Sequence, residues 1–187
     1  IVFSLMFAQY DWQDNGVPIR QGIHIEWQRT GDNGNDGEMI FAWSDTRYGG
    51  RDIYAQKVDV NGSPMWGSEG SPVVLEAGRQ EDPILITDGN GGAYIIWVDY
   101  RDEPDNGDIY GQHISSDGVI SWGLSGVPLT NVPGKQVSPN MCYDGQGGAF
   151  VIWNDLSVTT LGHVYGTHLA TNFEDIISQG TGVPLIA

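Results

Sequence analysis

Between Asp99 and Asp108 the chain reads DYRDEPDNGD, five carboxylates within ten residues together with Tyr100 and Arg101. Carboxylates at that density have two chemical uses. Asp99, Asp102, Glu103, Asp105 and Asp108 would hold calcium through their oxygens, or supply the acid and base that cleave a glycosidic bond. The plainer reading of such a charge run is a solvated acidic loop. A second stretch, TGDNGNDGE from Thr30 to Glu38, offers Asp32, Asn33, Asn35, Asp36 and Glu38 as calcium ligands. It comes near the D-x-[DN]-x-[DN]-G calcium loop, but Gly34 takes the third position and no Glu follows at the twelfth.

Asp99 also belongs to a phrase that occurs twice: WSDTRYGGRDIYAQ from Trp43 to Gln56, and WVDYRDEPDNGDIYGQ from Trp97 to Gln112. A catalytic residue is needed once, whereas a structural residue is needed in every repeat. Asp45, Asp99 and Asp155 recur, as do Tyr54, Tyr110 and Tyr165. The recurring Asp therefore reads as scaffold, accepting backbone N–H groups or an arginine fork within its own loop. Function belongs to what does not recur. Tyr48 and Tyr100 are unrepeated aromatics suited to stacking on sugars, beside Arg47 and Arg101. The histidines add little: His113 and His168 fill the slot of Lys57, and no Cys/His spacing suits zinc.

These loops must be carried by a repeated scaffold. The Trp before the acid falls at Trp43, Trp97 and Trp153, and a second series at Trp12, Trp66 and Trp122, with Ile177 in the fourth slot. Gly-x-Pro follows the second series at Gly16, Gly70, Gly126 and Gly182. A period of this size belongs to propellers and solenoids. Each unit reads as four short strands rich in β-branched and aromatic residues. In the second copy these are PILIT from Pro83, AYIIWVD from Ala93, DIYGQHIS from Asp108 and VISWG from Val119. DGNGG at Asp88 and DGQGG at Asp144 are tight hairpins joining first strand to second. The longer connections gather on the other rim, where such scaffolds bind their ligands.

The pattern W-x-D-x-R…D-I-Y-x-Q…W…G-V-P resembles the repeats of secreted bacterial β-propeller-like proteins, many of which carry a C-terminal sorting module. The third copy departs from it: Leu156 to Leu161 has no Arg, and His163 replaces the Asp. SSDGVISW, from Ser115 to Trp122, resembles the Asp-box hairpin of sialidase-type propellers with its Gly one place early. The resemblance implies an all-β propeller with blades of four antiparallel strands, and secretion.

Composition narrows the partners. A net charge of −16 repels phosphate backbones, which excludes nucleic acid, and no run is long enough for membrane insertion as a helix. The lone Cys142 sits in an apolar run and reads as a buried, inert thiol. Residues 1–9, IVFSLMFAQ, read as the remnant of a secretory signal peptide. Residues 10–19 read as a closing outer strand, and 20–187 as three blades at about 20–75, 76–131 and 132–187, an incomplete ring. The expectation is thus an extracellular or cell-surface recognition module without catalysis, whose long-loop rim meets a glycan, protein or matrix component. It would require no cofactor, with calcium the one ion its carboxylates suit. The alternative is a fragment of a propeller-type carbohydrate-active enzyme, sialidase- or glycosidase-like.

Overall fold

A computed structural model describes residues 26–130, 132–157, 162–169 and 183–184, with Gly16, Pro18 and Ile19. The signal-like segment, Trp12, Ile177 and nearly all of the expected closing strand lie outside these residues. The strands are β1 (Glu26–Asn33), β2 (Met39–Asp45), β3 (Asp52–Val58), β4 (Ser71–Val74), β5 (Gln80–Thr87), β6 (Ala93–Asp99), β7 (Asp108–Ile114), β8 (Val127–Pro128), β9 (Gln136–Tyr143), β10 (Ala149–Asp155), β11 (His163–Leu169) and β12 (Val183–Pro184). They form three four-stranded antiparallel sheets, β1 to β4, β5 to β8 and β9 to β12, each paired in chain order. The all-β, antiparallel expectation holds. The sheets do not close into a ring among the described residues.

Burial on both faces explains why the second strands look so apolar. All seven residues of β6 are buried. Ala93, Ile95 and Trp97 pack with Ile40, Ala42, Ile53 and Ala55 of the first sheet. Tyr94, Ile96 and Val98 pack with Ala149, Val151 and Trp153 of the third. Each large apolar side chain so placed contributes about 1.5–3 kcal/mol, so stacking of sheets outweighs any surface ion pair. β10 instead alternates, and Phe150 and Ile152 are exposed on its outer face. Cys142 pairs with Phe150 in the β9–β10 register and is exposed with it, which corrects the expectation of a buried thiol. An apolar run does not say which of its faces a neighbour covers.

A further correction concerns the fourth strand. VISWG is not a ladder strand: it touches β7 through one bridge, Ile114 to Ile120. The strand that pairs with β7 is Val127–Pro128 of the Gly-x-Pro phrase. The cause is Gln112, whose side-chain carbonyl accepts the Trp122 N–H at 2.7 Å while its amide donates to Gly123 O at 2.7 Å. Gln56 does the same to Trp66 N at 2.9 Å and Gly67 O at 2.5 Å. A buried amide thus pins the turn and sets the second tryptophan into the sheet, where Trp66 and Trp122 are buried. The other series is buried too, Trp43, Trp97 and Trp153 being at most 5 % exposed.

Gly126 links that turn to β8 and has no room for a side chain. Its φ is +67°, and a Cβ would lie 2.6 Å from the Trp97 ring and 2.8 Å from Gly111 O. Gly123, at φ +77°, faces open space. Gly123→Ala should therefore cost only backbone strain, about 1 kcal/mol. Gly126→Ala adds a clash with the central tryptophan and should cost about 2–4 kcal/mol. Paired denaturant melts of the two variants measure the difference.

Candidate active site

The repeated Asp is held as scaffold. Asp99 is buried and accepts Trp97 Nε1 at 2.7 Å, the Arg101 N–H at 2.9 Å and Arg101 Nε at 3.0 Å. Arg101 lies 4.1 Å above the Tyr110 ring and donates to Ser125 O at 2.9 Å. Asp45 takes the corresponding set from Trp43 and Arg47, with Arg47 over Tyr54 and donating to Glu69 O. Burial would raise the Asp45 carboxyl, but the Arg47 and Trp43 hydrogen bonds and the Arg47 charge hold it below the ordinary value. Arg47, Asp99 and Arg101, offered by the sequence as binding residues, are consumed in these clamps.

The other predicted residues are placed as follows. Tyr48 is 76 % exposed and lines a cavity of about 360 Å³ with Asp52, Glu76 and Gly78. Asp102, Glu103 and Asp105 are exposed, and Glu103 accepts Asn106 Nδ2 at 2.6 Å. Asp108 faces the carboxylates of its own loop. In the calcium-like stretch, Asp32 accepts Thr87 N at 3.0 Å and Oγ1 at 3.1 Å across to the second sheet, and its other oxygen accepts Asn33 N. Glu38 pairs with Lys57 at 2.6 Å, while Asn35 and Asp36 sit in the intervening 3₁₀ turn. Both ends of that stretch are thus committed to protein partners. Among the described residues no three His, Cys, Asp or Glu side chains are grouped to hold a metal.

A different cluster emerges at the long-loop rim. Arg51 pairs closely with Glu81, and Arg79 Nε lies 3.3 Å from the same Glu81. Arg79 stacks 3.8 Å above the ring of Tyr100. The loop after β2 is stitched to the start of β5 through Gln80 N to Arg51 O at 2.7 Å. Next in the chain stands Asp82, exposed, at φ +53°, a left-handed conformation rare for a non-glycine residue. Though the residue as a whole is exposed, partial burial of its carboxyl and then the Glu81 charge push its pKa up, against the opposing pull of Arg51.

The backbone at Asp82 is built, not accidental. The register of β5 slips between Glu81 and Ile84. That of β9 slips opposite Ile152 and Asn154, with Ser138 at φ +55°, and that of β1 slips between Trp27 and Arg29. A bulge thus recurs in each first strand, and bulges re-aim side chains near functional sites. The residue it carries does not recur: Gln28, Asp82, Ser138. Asp82 precedes the PILIT segment that the sequence marks as a strand, and it is not among the candidate residues the sequence offers. The signal was the change of residue type at one repeat position, and of the predicted residues only Tyr100 joins this cluster.

No protein-family model matches the chain, and no curated protein sequence matches it. Solved structures do. An α-L-arabinanase from Penicillium chrysogenum, complexed with arabinobiose, is 15 % identical with a TM-score of 0.53, over 86 % of this chain and 50 % of that one. An endo-arabinase from Bacteroides thetaiotaomicron is 12 % identical with a TM-score of 0.50, over 89 % and 61 %. A thermostable family-43 glycoside hydrolase is 16 % identical with a TM-score of 0.51, over 85 % and 53 %. The chain therefore has a propeller-type fold and spans about half to three fifths of the length of these structures. The likeness overturns the expectation of a non-catalytic recognition module: the fold shared in each case is that of a glycoside-cleaving enzyme.

Asp52 and Asp108 offer a pH test of the rim. Each is raised from 3.8 to about 6, first by burial; the Asp45 charge adds to Asp52, and those of Asp102, Asp99 and Glu103 to Asp108. The folded state then holds more protons than the unfolded chain between these values, so stability falls as pH rises from about 4 through 6. Asp108→Asn should flatten that fall and raise the melting temperature at pH 7 more than at pH 4. Thermal melts across this range measure it, and equal shifts at both pH values would contradict the assignment.

Proposed function

We propose that the chain is part of a propeller-type carbohydrate-active enzyme that cleaves glycosidic bonds at the long-loop rim. The observation that carries this reading is Asp82, an unrepeated carboxyl on a repeated bulge, with its pKa raised. A glycosidase needs a carboxyl that keeps its proton long enough to protonate the leaving oxygen. Asp82 takes that role. Arg51 and Arg79 hold Glu81 in place beside it, and Tyr100 under Arg79 offers a flat edge to a sugar ring.

In this reading the three sheets are consecutive blades of an incomplete ring, with an outer strand supplied from 10–19. The exposed Phe150 and Ile152, at positions where Tyr94 and Ile96 are covered by the next sheet, support it. The arabinan-cleaving neighbours make arabinan the first polymer to test, with mannan beside it because a structure of the mannan-targeting GH130 family is also similar, at a TM-score of 0.51. A polysaccharide does not cross a membrane, so the enzyme acts outside the cell, in keeping with the apolar segment at 1–9.

Reducing-end assays on these polymers should show release by the protein. Asp82→Asn should lower it by about a hundredfold or more, the usual contribution of a general acid. The melting temperature of that variant should hold or rise at neutral pH, because a strained, charge-crowded carboxylate is removed. Full activity in Asp82→Asn, or binding of oligosaccharides without release, would defeat the assignment.

A further inference from the structure

β5 carries Asp82 near one end and runs into Asp88 just past the other, so the hairpin rim is remote from the cluster described above. Between the second and third sheets that rim holds a half-open cavity of about 480 Å³ lined by Asp88, Asn90, His113, Ser116, Ser121 and Trp122, among others. Three of these side chains form a chain of hydrogen bonds. His113 Nε2 lies 2.8 Å from Asp88 Oδ2, and His113 Nδ1 lies 3.1 Å from Ser121 Oγ. The imidazole is braced between Tyr94, with ring centroids 5.0 Å apart, and Trp122, at 6.2 Å.

The direction of each proton follows from Asp88. Burial alone would raise this carboxyl, but the His113 hydrogen bond and the N–H groups of Asn90, at 2.7 Å, and Gly92, at 3.0 Å, outweigh it. An ionised Asp88 can only accept, so His113 carries its proton on Nε2. In the neutral imidazole Nδ1 is then the acceptor, and the Ser121 hydroxyl donates to it. Nucleophile, base and orienting acid stand in the order that acyl transfer requires.

The pair Asp–His by itself is scaffold. Asp144 and His168 repeat it at 2.7 Å in the third sheet, and Asp144 closes its hairpin through the same two backbone positions. The hydroxyl is what the second sheet adds. Ser121 donates its N–H to His113 O at 2.8 Å, and in the first sheet Met65 does so to Lys57 O at 2.7 Å. There the same two places hold a lysine and a methionine, which cannot do this chemistry.

We propose that the cavity is an esterase centre acting on short-chain carboxylic esters. Ser121 Oγ attacks the acyl carbonyl carbon as its proton passes to His113 Nδ1, giving a tetrahedral intermediate. The bond to the alkoxy oxygen breaks, and that oxygen leaves as the alcohol with the proton from His113. Water, deprotonated by His113 Nδ1, then attacks the acyl-Ser121 carbonyl. The proton returns to Ser121 as the carboxylate is released. The Ser116 hydroxyl and the second hydrogen of the Asn90 amide, which also donates to Asp88 O at 3.4 Å, are the donors that line the cavity beside the oxyanion. The polar lining suits an acetyl-sized group better than a long acyl chain.

The test uses p-nitrophenyl acetate and a fluorophosphonate probe on the purified protein. The expected result is ester hydrolysis with one phosphonyl group on Ser121, located by peptide mass mapping, and neither in denatured protein. Ser121→Ala, which removes an exposed hydroxyl where the first sheet tolerates methionine, should keep the melting temperature and lower hydrolysis by on the order of a hundredfold or more. His113→Lys, which copies the first sheet, should abolish labelling of a serine that is still present. Hydrolysis unchanged in Ser121→Ala, or label on another residue, would overturn the proposal whatever the outcome at Asp82.

Discussion

An ionised carboxylate buried at the end of a strand costs several kcal/mol unless its lone pairs find donors. Asp99 finds an indole N–H, a backbone N–H and a guanidinium, and the guanidinium is itself laid on the Tyr110 ring. Through Arg101 the same ion pair reaches Ser125 O, just before the Gly-x-Pro strand. One carboxylate therefore ties the second strand, its loop, the third strand and the approach to the fourth. Asp45 repeats every one of these ties. In the third sheet Asp155 accepts the Ser157 N–H at 2.7 Å, and among the described residues the buried Trp153 Nε1 has no partner. In the first two sheets the clamp Asp accepts that donor, and leaving it unpaired costs about 1–3 kcal/mol.

This division of labour explains what was legible in the sequence. Trp43, Trp97, Tyr54 and Tyr110 could be read as scaffold because each sheet carries the same residue in the same place. The VISWG segment was not legible. Its alternation satisfies the pattern of a strand, while the Gln112 amide that makes it a turn acts from a strand ten residues earlier in the chain. The reading of Cys142 as buried failed for a related reason: local hydrophobicity reports that a face is apolar, not that a neighbouring sheet lies against it.

The candidate sites divide along the same line. Carboxylate density drew attention to the loop from Asp99 to Asp108, yet its innermost acid belongs to the clamp and its outer ones are solvated. Asp82 is one of three acids in the connection EAGRQED, and residue type does not set it apart from Glu76 or Glu81. What marks it is a backbone feature, the bulge shared by β1, β5 and β9, which residue types alone do not announce. Ser121 is marked in a similar way. Its partners His113 and Asp88 look like one more copy of a hairpin device, and only the hydroxyl in place of Met65 distinguishes the second sheet.

Perturbed acids alone would have pointed elsewhere. Asp52 and Asp108 are the carboxyls displaced to about 6, and both stand at the start of a third strand opposite a clamp Asp. Their shifts have a common origin: in the first two sheets the acid that opens the third strand is partly buried, and the clamp carboxylate opposite adds its charge. A displacement that recurs with the scaffold is a cost of the scaffold. Asp82 is displaced by partial burial and by the Glu81 charge, against the pull of Arg51, on a bulge whose residues in the other sheets, Gln28 and Ser138, have no carboxyl to offer. In a repeat protein, then, the size of a pKa shift is a weaker guide to chemistry than its failure to repeat.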